Sequence, residues 1–191
     1  MRRGTAASAA KGCGFADEIP RIHASGGEGH RLRNSARLKS GAALEGARML
    51  VQGKCHCGNI GFSLTWESSP AELSARACDY SFCVKHGGVW TSVPHGSLQV
   101  IVKEAALVSK YAFGTGTADF HTCARCGVVP LVTSRIDGRI YAVVSVNALE
   151  GIDPSQVPRA PVSFDGEGEA SRLARRKLGW IANVAYIEGS T

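Results

Sequence analysis

The sequence predicts a mainly β fold with one short helix near the C-terminus. Three observations lead there. From Ile60 onward, apolar residues alternate with small or polar ones at period two: Ile60, Phe62, Leu64 and Trp66 against Gly61, Ser63 and Thr65. Turn-forming clusters punctuate the chain at Pro94-His95-Gly96, Gly114-Thr115-Gly116 and Asp137-Gly138. Helical spacing of apolar residues occurs only in the tail, at Ala170, Leu173, Ala174 and Leu178.

Taken in order, strands are expected over Ile60–Trp66, Gly88–Val93, Leu98–Val102, Leu107–Phe113, Thr117–Thr122, Val128–Thr133 and Arg139–Val146. The helix is expected over Glu167–Trp180. At 191 residues the chain is long enough for one domain with a real core. No segment approaches the roughly 18–20 continuous apolar residues of a membrane helix. No apolar run of secretory-signal type is visible, so a cytoplasmic protein is expected.

Residues 1–48 have a different character. They are rich in Ala, Gly, Ser and Arg and offer little apolar surface to offset the entropy of ordering. They are expected to be a disordered N-terminal extension, with the folded domain over residues 49–191. The only internal methionine, Met49, directly precedes the first recognisable structure and marks a candidate start of the natural protein.

The charge follows the same division. Residues 1–48 carry nine Lys/Arg and four Asp/Glu, and residues 49–191 carry thirteen and twelve. The net charge of +6 therefore lies mostly in the extension. A nucleic-acid-binding domain is expected to keep a basic face on the domain itself, so this distribution argues against one.

Seven cysteines cannot all pair within one chain. Cys13 falls in the extension and is expected to be a free thiol. The other six lie between Cys55 and Cys126 in closely spaced pairs, which suggests metal binding more than a disulfide framework. Cys55-His56-Cys57-Gly58 and Cys123-Ala124-Arg125-Cys126-Gly127 each form a short knuckle ending in glycine. Thiols with one or two residues between them rarely reach good disulfide geometry. Two such knuckles supply a tetrahedral four-cysteine site, the usual arrangement of structural zinc. The terminal glycines suit the positive φ that lets backbone amides turn towards thiolate sulfur.

A third group is Cys78-Asp79-Tyr80-Ser81-Phe82-Cys83, followed by Lys85 and His86. Cys78 and Cys83, with or without His86, describe an open or labile metal site. Equally, the cysteines are core residues and His86 a turn residue. His56 and His121, inside the knuckle motifs, are expected to be structural or exposed.

Together, Gly53–Gly58, Ala77–Gly88 and Phe120–Gly127 resemble the glutathione-dependent formaldehyde-activating enzyme family, which also includes centromere protein V. The resemblance covers the motif core, residues 49–151. It implies an Mss4-like β fold around a structural zinc held by Cys55, Cys57, Cys123 and Cys126. It implies a second zinc on positions 78, 80 and 83. The implied activity is carbon–sulfur lyase chemistry on a glutathione–formaldehyde adduct, S-hydroxymethylglutathione. The alternative is a non-catalytic zinc module for a protein or nucleic-acid partner. The chain departs from the family pattern at Tyr80, where the pattern has cysteine. An unperturbed phenol, with a pKa near ~10, is a poorer ligand than a thiol near ~8.5, so the second site is weakened. Tyr80 is expected to pack its ring and hydrogen-bond locally.

Overall fold

The structure, a computed structural model, describes residues 48–67 and 73–189. The disordered extension expected over residues 1–48 lies, apart from Arg48, outside the described residues.

Among the described residues, eleven strands and two α-helices appear in chain order. They are β1 (Arg48–Lys54), β2 (Ile60–Glu67), β3 (Ala75–Cys78), α1 (Ser81–Lys85), β4 (Val89–Thr91), β5 (Ser97–Val102), β6 (Val108–Tyr111), β7 (Asp119–Cys123), β8 (Leu131–Ile136), β9 (Arg139–Ser145), β10 (Arg159–Val162), α2 (Glu169–Gly179) and β11 (Asn183–Glu188). They build a four-stranded sheet, β1-β2-β5-β11, and a seven-stranded sheet, β10-β3-β4-β9-β8-β7-β6. All pairings are antiparallel except β5 with β11 and β3 with β10.

Alternation along the strands decides which face is buried. In β2, Ile60, Phe62, Leu64 and Trp66 are buried and join Leu98, Val100 and Val102 of β5. These pack in one core with Leu131 of β8 and with Ala142 and Val144 of β9. The opposite face of the seven-stranded sheet carries a second core. There Val132, Ile136, Tyr141 and Val143 meet Trp90, Phe120, Cys83 and Trp180. The central strands are buried on both sides, which explains the nearly continuous apolar run of β9.

Two glycines show local sequence serving the fold. Gly53 of β1 stands opposite Phe62 of β2. A Cβ at Gly53 would sit 2.1 Å from Phe62 Cζ and 2.7 Å from the Ala148 carbonyl oxygen, so no larger residue fits. At the β8–β9 turn, Asp137 and Gly138 have φ of 49° and 77°, the left-handed pair of a two-residue hairpin.

All seven strands anticipated from the sequence are present, with shifted ends. The largest shift is β8, expected over Val128–Thr133 but starting at Leu131. Val128 is taken by the second knuckle, where its carbonyl accepts from the Cys123 amide. Beyond those seven, β1, β3, β10, β11 and α1 also form. Strands β3 and β10 are only four residues long, and β10 contains Pro161, which confines it to a sheet edge.

The helix stands where its periodicity put it, but of its four spaced apolar residues only Leu173 packs inward. Leu178 is 82% exposed, and Ala170 and Ala174 are exposed too. The buried position is Arg176, at 6% exposure. Leu173 packs against the second core, and Arg172 and Arg175 are half-buried beside it. Among the described residues, no helix is long and apolar enough to cross a membrane.

Candidate metal centre and thiol-lined cavity

The two knuckles have the same backbone plan. In the first, which joins β1 to β2, the Cys55 amide donates to the Ile60 carbonyl at 2.8 Å and the Gly58 amide to the Cys55 carbonyl at 2.9 Å. In the second, between β7 and β8, the Cys123 amide donates to the Val128 carbonyl at 3.0 Å and the Gly127 amide to the Cys123 carbonyl at 2.8 Å. Gly58 and Gly127 take φ of 74° and 76°. At Gly127 an added Cβ would meet nothing within 4 Å, so conformation rather than space requires glycine there.

This plan brings Cys55, Cys57, Cys123 and Cys126 together, with all four sulfurs within 4.8 Å of one another. Cys55 and Cys57 Sγ are 3.7 Å apart, and Cys57 and Cys123 Sγ are 3.4 Å apart. A tetrahedral zinc with Zn–S near 2.3 Å sets its ligands about 3.8 Å apart, close to these separations. The environment favours thiolate. The Ile60 amide donates to Cys55 Sγ at 3.3 Å. Burial pushes the Cys126 thiol up, but the Val128 and Cys57 amides and the neighbouring thiols outweigh it and hold Cys126 at about 6. Burial dominates at Cys123 and raises it. Donor type, spacing and amide–sulfur bonds all fit one zinc ion, and among the described residues this is the cluster of three or more metal-ligating side chains.

The histidines of the knuckle motifs do not join the cluster. His56 is exposed in its turn. His121 is buried in β7, its Nε2 2.8 Å from Thr133 Oγ1 and its Nδ1 3.3 Å from the Tyr186 hydroxyl. Burial, with Lys110 nearby, lowers its pKa to about 4, so the ring is neutral.

Cys78, at the end of β3, and Cys83, in α1, also meet. The two thiols influence each other's titration: Cys83 holds Cys78 at about 7, and Cys78, with burial, pushes Cys83 up. No third His, Cys, Asp or Glu donor joins them among the described residues. His86 is exposed and its ring lies 4.4 Å from that of Phe82. Lys85 is exposed. Tyr80 donates its hydroxyl to the Phe164 carbonyl at 3.3 Å and sets its ring edge against Phe113, with the Arg172 guanidinium 5.3 Å from the ring centroid. The packing expected of Tyr80 is thus what the structure holds. Two thiols are fewer than the three protein ligands of a catalytic zinc, and the phenol is engaged elsewhere.

Both thiols open onto a cavity of about 60 Å³ under α2. Its walls include Trp90, Phe120, Val132, Val143 and Trp180, and its charged lining is Arg76, Arg175 and Arg176. None of these arginines stood out in the sequence. The signal was the run Arg172, Arg175, Arg176, whose three- and four-residue spacing puts the side chains on one helix face.

No family model matches the chain, and no curated protein matches it. It is similar to the crystal structure of a Rhodobacter sphaeroides protein solved by structural genomics, at 30% sequence identity over 57% of this chain and 99% of that one, with a TM-score of 0.42.

Proposed function

We propose that the chain is a zinc-clipped carbon–sulfur lyase of the glutathione-dependent formaldehyde-activating type. It makes and breaks the bond between a thiol sulfur and a carbonyl carbon. The observation that carries this reading is the Cys78–Cys83 pair at a half-open, arginine-lined cavity. The four-cysteine zinc holds the sheets and takes no part in the reaction.

The step balances without any outside oxidant or reductant. The thiol sulfur bonds to the carbonyl carbon, the C=O π pair moves to oxygen, and the thiol proton ends on that oxygen. The reverse reaction returns both partners. Cys78 and Cys83 are placed to carry the proton between sulfur and oxygen. Apolar walls shield the carbonyl end of the adduct, and the arginines stabilise the charge that grows on oxygen. A second zinc would need a ligand that Tyr80 does not offer, so no step is assigned to one.

The test is exchange NMR on glutathione and formaldehyde. The protein should accelerate adduct formation and breakdown, and Cys78→Ser should abolish the acceleration with zinc content unchanged. Rates equal to those of buffer would favour the alternative, a non-catalytic zinc module, which the occupied hydroxyl of Tyr80 also suits.

A further inference from the structure

The arginines of the cavity are not explained by thiol chemistry alone. Arg175 is already neutralised: its Nε and Nη2 donate to Glu167 Oε1 and Oε2 at 2.9 and 2.7 Å. Arg176 has no such partner. It is 6% exposed and forms no ion pair among the described residues. Its Nη1 donates to the Thr117 carbonyl at 2.9 Å, to Thr117 Oγ1 at 2.8 Å and to Ser134 Oγ at 3.2 Å, while its Nε has no hydrogen-bond partner among the described residues. Arg76, from β3, donates to Ser92 Oγ at 2.9 Å and likewise has no ion-pair partner among the described residues.

Burying a guanidinium without a counter-charge costs several kcal/mol. Here burial and the neighbouring Arg172 and Arg175 lower the Arg176 pKa to about 10, which registers that cost and still leaves the group charged at neutral pH. Two guanidiniums with no carboxylate partner among the described residues, Arg76 having only the Cys78 thiol as a neighbouring acid, are suited to an anion, and guanidinium geometry favours a carboxylate. Size narrows the ligand further. At about 60 Å³ the cavity is small against the roughly 300–1,000 Å³ of ordinary ligand pockets. The space suits a two- or three-carbon acid, and a thiol partner as large as glutathione reaches it only with its sulfur end, from the open side.

We propose that the carbonyl compound taken by this cavity carries its own carboxylate. It is a compact aldehyde acid or 2-oxo acid, with the carboxylate on Arg76 and Arg176 and the carbonyl carbon facing Cys78. The carbonyl half of this inference rests on the thiol–carbonyl reading above, and the carboxylate half stands on the arginines alone.

The experiment has a binding arm and a rate arm, both on the full zinc-loaded chain. Calorimetry with propionate should show one saturable site, and uncharged propionamide should bind at least about tenfold more weakly. Arg76→Gln should weaken propionate by about tenfold with melting and zinc content unchanged, since its one side-chain hydrogen bond among the described residues is to Ser92. Equal binding of acid and amide, or unchanged propionate binding in Arg76→Gln, overturns the carboxylate site. In the rate arm, adduct formation between glutathione and glyoxylate should exceed that with formaldehyde in kcat/KM, and Arg76→Gln should remove the preference. A formaldehyde preference overturns the carboxylate-bearing substrate. Propionate binding without acceleration of either reaction leaves the carboxylate site standing and overturns the carbon–sulfur reading with its carbonyl half.

Discussion

Cys57 Sγ lies 3.4 Å from Cys123 Sγ across 66 residues of sequence. Cys57 sits in the β1–β2 turn of the four-stranded sheet, and Cys123 ends β7 of the seven-stranded sheet. One ion held at this point would join the two sheets at the end of their shared core, and its binding energy would then be folding energy.

Cys57→Ser or Cys126→Ser should release the ion and largely unfold the domain. Structural zinc contributes on the order of 10 kcal/mol, comparable with the whole stability of a domain at about 5–15 kcal/mol. Circular dichroism melts with parallel metal analysis check this. Wild-type melting and zinc content in either variant would remove the assignment.

Gly53→Ala should destabilise by about 3 kcal/mol, lowering Tm by roughly 6–12 °C, because the new methyl would overlap the Phe62 ring and the Ala148 carbonyl. Gly61→Ala is the control. Its Cβ would find its nearest neighbour at 3.7 Å, so Tm should move by only a few degrees. Equal shifts for the two variants would contradict the crowding at Gly53.

Stability should fall in mild acid through His121. Burial lowers its folded pKa to about 4 from an ordinary 6.5, so in this window the unfolded chain binds the proton more readily. The contribution is complete above about pH 6.5 and is lost as pH falls towards 4, amounting to about 3 kcal/mol. His121→Gln should flatten that part of the profile. Thiolate protonation also releases zinc in acid, so zinc content is followed at each pH and the difference between the two profiles is read. Identical slopes would show that His121 does not titrate in this way.

Tyr80→Cys should create a tighter second metal site. It places a third thiol beside Cys78 and Cys83, and thiolate is the better zinc ligand. It also removes the bond to Phe164 and the packing on Phe113, a loss on the order of 3 kcal/mol in stability. Zinc competition against a chelator, with the four-cysteine site filled, separates binding from melting. A variant that takes up the second ion no more tightly than wild type would show that this loop does not bring three thiols to one point.

What the sequence disclosed depended on how local each signal was. The knuckle ligands were readable because spacing and terminal glycine are properties of adjacent residues. Strand β2 was readable because one of its faces is buried and the other half-buried, giving clean alternation. Strands β3 and β10 were not, since each owes its existence to a neighbour in the sheet rather than to its own four residues. The inward face of α2 was only partly readable for a related reason. Apolar spacing marked Ala170, Leu173, Ala174 and Leu178, of which Leu173 packs inward, while the arginines that turn inward do so to line a cavity, a requirement that periodicity does not register. The near-neutral charge of the folded part also hid them, because Arg76 meets Arg175 and Arg176 only after folding.

The zinc clip itself is tested most directly by X-ray absorption at the zinc edge on the purified chain, with total zinc measured on the same sample. The prediction is one tightly held zinc per chain with four sulfur neighbours at about 2.3 Å. Absence of zinc, or a shell in which nitrogen or oxygen replaces any of the four sulfurs, would contradict the site formed by Cys55, Cys57, Cys123 and Cys126.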